Sequence, residues 1–122
     1  MKAQLLLEEA RRLLAAGAGA GWAPSVVILT RKALELGVHQ HYARSSRTTG
    51  LLQGTWRDKL VCLPHYLREG ASPHPLAARV AWCWSALSDA SHHRGLEMTP
   101  SAKDLTAWLD TVERFVALLE RD

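Results

Sequence analysis

Residues 105–119 read LTAWLDTVERFVALL. Leu105, Trp108, Leu109, Val112, Phe115, Val116 and Leu119 recur at three- and one-residue steps, which a period of about 3.6 places on one stripe. Burying any one of the large members contributes about 1.5–3 kcal/mol, so the stretch predicts a long helix that walls a hydrophobic core. Its start is marked either by Thr99 ahead of Pro100 or by Ser101 and Asp104 as a capping box.

Working outward, four more helical runs appear. Lys2 to Ala16 carries Ala3, Leu6, Leu7, Ala10, Leu13 and Leu14 at helical spacing, and the glycine-rich stretch from Gly17 to Gly21 follows as a connector. A second helix is expected from Pro24 to about Tyr42, with Val26, Leu29, Ala33 and Leu36 inward and Gly37 at a close helix contact or a kink. His39 and His41 stand about 200° apart on that helix, the wrong geometry for one metal ion, and read as solvent or core-edge residues. Residues 43–54, with Arg44 and Arg47 among hydroxyl side chains, form a loop in which both arginines are candidates for phosphate contact. A third helix, Thr55 to Arg68, is capped by Thr55 and interrupted near Cys62 by Pro64. The turn Gly70–Pro75 separates it from a fourth, which begins at Leu76. No stretch alternates with period two, and the reading is an all-α bundle of four to five helices in up-and-down order, as one domain over residues 1–122.

Composition sets the class. The chain has 122 residues, of which 48% are hydrophobic and 22% charged, enough for one compact core and too little for two. No apolar run reaches the roughly 18–20 residues of a membrane span, and Glu8 and Glu9 stand where a signal peptide needs its apolar centre, which predicts a soluble, cytoplasmic protein. Cys62 and Cys83 sit singly among apolar residues and read as reduced core side chains. The net charge of +3, with arginine in excess of lysine, leans toward an anionic partner such as RNA.

Chemistry concentrates at the end of the fourth helix. Leu76, Val80, Cys83, Leu87 and Ala90 form its core face, Trp82, Ala86, Asp89 and His93 lie along one edge, and Ser88 and His92 fall nearer solvent. Asp89 and His93, four residues apart, can meet as a carboxylate-oriented imidazole capable of general acid or base work, with His92 and Arg94 beside them. A helix-end cap with a surface ion pair uses the same residues without catalysis. Trp82 and Trp84 point to opposite sides of the helix, so one of them is expected to meet a neighbouring helix or chain.

A helical bundle whose penultimate helix ends in L-S-D-x-x-x-H before a capped final helix, with RKALELGV in its second helix, resembles the HEPN superfamily (higher eukaryotes and prokaryotes nucleotide-binding). Active members are metal-independent RNases with an R-x(4–6)-H pattern and a polar residue between, and they dimerise so that two motifs face each other. The resemblance implies that His93 is the motif histidine and Asp89 the polar residue, while the arginine position falls on Ser88. Losing such a preorganised donor costs on the order of 10²–10³ in rate. Arg79, Arg94 or a partner's arginine would have to substitute. Arg68 and His74 reproduce the spacing by chance around a Pro/Gly turn.

The resulting expectation is a HEPN-like binding and assembly module, of the toxin–antitoxin or defence kind that the resemblance implies. It would form a homodimer or engage a partner protein, touch RNA or nucleotide through Arg44, Arg47, Arg79 and Arg94, and need no metal or cofactor. The alternatives are a metal-independent endoribonuclease using His93 with Asp89 and a borrowed arginine, and a small helical subunit unrelated to nucleic acid.

Overall fold

The computed structural model describes residues 2–17, 22–92 and 100–121. Five α-helices stand among them: α1 (Lys2–Ala16), α2 (Trp22–Ala43), α3 (Trp56–Tyr66), α4 (Pro75–His92) and α5 (Ala102–Arg121). A 3-10 turn, Thr49–Gln53, leads into α3, and two-residue strands β1 (Arg68–Glu69) and β2 (Ser72–Pro73) form an antiparallel hairpin between α3 and α4. The architecture is all-α, and α2 is its central element, packed on α1, α4 and α5. No helix among the described residues is long and apolar enough to cross a membrane.

The stripe on α5 is the strongest wall of the core. Leu105, Leu109, Val112, Phe115, Val116 and Leu119 are all buried, with Trp108 packed at the edge. The capping box that starts the helix uses Ser101: its Oγ accepts from Asp104 N at 3.1 Å, and its N donates to Asp104 Oδ2 at 3.4 Å. Thr99, the other candidate, lies outside the described residues. Arg11 of α1 reaches Asp110 at 2.7 Å and also pairs with Glu113, tying the first helix to the last.

Helix α1 has the bounds its periodicity predicts and closes at Gly17, whose N–H donates to Leu13 O at 3.3 Å and whose φ of 72° turns the chain out of the helix. The rest of the predicted connector, residues 18–21, lies outside the described residues. Helix α2 begins at Trp22, two residues before the expected start at Pro24. A proline is tolerated anywhere in a first turn, where backbone N–H groups have no intrahelical acceptor, so Pro24 need not be the first residue. Gly37 is a close contact with α5: a β-carbon there would lie 3.5–3.6 Å from Val116, Leu119 and Phe115.

Helix α3 differs from expectation at Pro64 and at its end. It keeps its Thr55 cap, whose Oγ1 accepts from Asp58 N at 3.1 Å, but runs unbroken through Pro64 and stops at Tyr66 instead of Arg68. Pro64 falls in the last turn, and the helix continues past its missing donor to a closing bond from Leu67 N to Leu63 O at 2.7 Å. The chain then turns through the hairpin, with Gly70 at φ 63°. His74 N donates to Leu67 O at 2.9 Å, and His74 Nδ1 accepts from Leu76 N at 3.1 Å, so this histidine closes the turn and caps α4. Arg68 donates to Ala71 O in the same turn. The spacing of Arg68 and His74 therefore serves a structural turn.

Candidate functional site

Helix α4 packs on α2, α3 and α5, and its outward side is exposed at Pro75, Ala78, Arg79, Trp82, Ser85, Asp89 and His92. At about 3.6 residues per turn these positions share one arc of roughly 140°. Trp82 is 66% exposed and lines a shallow cleft of about 390 Å³ with Ala78, Arg79 and Thr111 of α5. Trp84 takes the opposite role. It is half-buried against α2 and α3, which resolves the pair into one packed and one presented indole.

Ser88 corrects the helical-wheel reading. It was expected toward solvent but is 9% exposed, and its Oγ has no hydrogen-bond partner among the described residues. Because α4 packs three other helices, its buried arc is wide enough to take in Ala77, Trp84 and Ser88 beside the core face. The position that the motif assigns to arginine thus points into the bundle. Asp89 and His92 are exposed on the outer arc; His93 and Arg94, the remaining residues of the expected site, lie outside the described residues.

The arginines of the 43–54 segment divide. Arg44 Nη1 donates to Leu119 O at 2.6 Å, capping the carbonyl end of α5, whereas Arg47 is exposed and engages Ser45 only through its backbone N–H. With His41, Ser45, Thr48 and Tyr66 they line a cleft of about 220 Å³. Below it Tyr42, fully buried, donates its hydroxyl to Lys59 O and accepts Thr48 Oγ1 at its own carbonyl at 2.6 Å. Burial pushes its phenol well above the usual range.

A denser constellation stands where α2, α3 and α4 meet. His39 stacks on Trp56 with ring centroids 5.0 Å apart, and Trp56 stacks on Trp84 at 6.2 Å. Arg31 lies 5.9 Å from the Trp84 ring, and Lys59 Nζ lies 4.4 Å from that of Trp56. Glu35 Oε2 accepts from Trp84 Nε1 at 2.9 Å and from Arg31 Nε at 3.2 Å. Lys59 Nζ donates to His39 Nε2 at 2.8 Å. An ammonium has only donors, so Nε2 is the acceptor and the imidazole proton sits on Nδ1. Desolvation, then the Lys59 charge, lower the His39 pKa, with Glu35 opposing.

Sequence reading singled out none of this as a site. His39, expected at solvent or at the core edge, is half-buried, and its partners lie on another helix. Among the described residues no group of three or more His, Cys, Asp or Glu side chains could hold a metal ion. Cys83 is buried, and desolvation raises its thiol to about 12, which makes it a core side chain rather than a nucleophile. Compared with known proteins, the chain matches no family model, no curated protein and no solved structure.

Proposed function

We propose that this chain is a non-catalytic, HEPN-like binding and assembly module that self-associates through the outer arc of α4, in the toxin–antitoxin or defence setting that the sequence resemblance implies. The observation that carries the reading is the exposed Trp82 beside Arg79. Trp82 and Arg79 stand together at one shallow cleft, and Trp and Arg are among the residues most enriched where interfaces draw their energy. The arc is also self-complementary. Arg79 and Asp89 lie ten positions apart, about 15 Å along the helix, so two copies of α4 packed antiparallel set each arginine against the other copy's aspartate and each Trp82 near a small Ala86. The buried Ser88 supports the non-catalytic side of the reading, since the motif arginine has no place on the exposed face.

Molar mass in solution tests it. The wild-type chain is expected as a dimer, Trp82→Ser and Arg79→Glu as monomers, and the swap of Arg79→Asp with Asp89→Arg as a dimer again. Incubation with labelled total RNA in EDTA is expected to leave the RNA intact. A wild-type monomer at all concentrations sinks self-association; cleavage abolished by His93→Ala establishes the RNase alternative instead.

A further inference from the structure

Lys59 is 4% exposed, and no carboxylate pairs with its ammonium among the described residues. A buried charge is kept at a cost unless something compensates it. Here the compensation is partial: one hydrogen bond to a neutral imidazole and one indole face. Both partners, His39 and Trp56, line a cleft of about 370 Å³ together with Leu6, Lys32, Glu35 and Leu36. Glu35, the one carboxylate among the described residues that line the cleft, is already engaged by Arg31 and Trp84, while Lys32 is exposed at the cleft and Lys59 stands next to two of its walls. Positive charge is therefore in surplus. With Nε2 taken by Lys59, Nδ1–H is the remaining donor of the His39 ring, which lines the cleft. The remaining walls, Leu6, Leu36 and the part of the Trp56 indole left beside its His39 and Trp84 stacks, are apolar, and the volume lies at the small end of ligand sites.

We propose that this cleft between α1, α2 and α3 binds a small organic acid with a flat apolar body. The carboxylate is held by Lys32 and His39 Nδ1–H within the field of Lys59, and the body lies against Trp56, Leu6 and Leu36. The site uses none of the outer residues of α4 and stands independently of the assembly role.

Titration of the full chain with benzoate, acetate and benzylamine, followed by amide and indole NMR shifts, tests the proposal. Benzoate is expected to give saturable shifts centred on Lys32, His39 and Trp56; acetate binds far more weakly and benzylamine produces none of them. Lys32→Gln, at an exposed position that leaves the fold intact, is expected to weaken benzoate binding about tenfold or more. Lys59→Met does the same, provided its amide spectrum keeps the wild-type dispersion. The proposal is overturned by an absence of saturable shifts with benzoate, by equal shifts with benzylamine, or by Lys32→Gln binding benzoate as the wild type does. Acetate binding as tightly as benzoate would refute the apolar half of the site.

Discussion

Lys59 Nζ and His39 Nε2 lie 2.8 Å apart, a lysine–imidazole hydrogen bond that joins α3 to α2 and exists only while the imidazole is neutral. Protonating His39 would set two cations against each other beside the Trp56 ring. The folded protein accordingly holds the imidazole pKa below its ordinary 6.5, through desolvation first and Lys59 second. In the unfolded chain the ring takes up its proton near pH 6.5. Between that value and the folded one the unfolded state binds more protons, so stability rises with pH across this window. The contribution is complete above the ordinary value and is lost as pH falls from there through the folded value. Urea midpoints are expected to fall between pH 7.5 and pH 5.5 in the wild type and to fall less in His39→Gln. An NMR titration of Lys59→Met should show the His39 pKa moving up.

Gly37 faces α5 with room for a methyl group, since a β-carbon would meet Val116, Leu119 and Phe115 at ordinary van der Waals distances. Glycine inside a helix costs about 1 kcal/mol relative to alanine. Gly37→Ala is therefore expected to stabilise the protein by about 0.5–1 kcal/mol, read as a higher urea midpoint with unchanged slope. Gly17→Ala is expected to do the reverse by a similar amount, because φ 72° at the end of α1 strains any side chain.

These two glycines illustrate how unevenly the fold could be read from the sequence. Helices α1 and α5 were legible because each exposes one face and buries the other, so the period of its apolar residues is undiluted. Helices α2 and α4 are flanked by several helices each, and apolar residues spread around them; this is why Ser88 was assigned to the wrong side. The His39–Trp56–Trp84 ladder was not legible at all. Its members come from three helices, and Lys59, an ordinary surface residue by type, gives no local sign that it will be buried. The only local trace is that Trp56 and Lys59 are three apart and so share a face of α3. For the α4 edge, helical geometry alone puts Trp82 beside Asp89 and His92 nearer solvent, and all three are exposed; His93, expected on the same edge as Trp82, lies outside the described residues.

Tyr42 links the end of α2 to α3 through a hydroxyl donated to Lys59 O, the backbone of the same lysine that His39 holds by its side chain. The ring is fully buried and packs edge-on against Tyr66 at 6.1 Å. Tyr42→Phe keeps the ring and removes the bond, leaving a buried carbonyl short of a partner. The expected loss is about 1–2 kcal/mol in chemical denaturation. Native-state hydrogen exchange should report faster opening around the junction of α2, the 3-10 turn and α3 than in α5.

Ser88 offers the sharpest test of whether α4 carries a weakened nuclease motif or a surface of another kind. If the outer arc were an active site lacking only its arginine, Ser88→Arg would restore it. The side chain points inward, however, where a guanidinium would have to be desolvated within the packing between α4 and its neighbours. Ser88→Arg is therefore expected to destabilise the protein by at least about 2 kcal/mol and to give no cleavage of labelled RNA. Ser88→Ala is expected to do the opposite: it removes a buried hydroxyl that has no hydrogen-bond partner among the described residues, and the urea midpoint should hold or rise, by up to about 1 kcal/mol. A stable Ser88→Arg variant that cuts RNA, and loses that activity on His93→Ala, would require α4 to present this position to solvent and would return the chain to the enzymes.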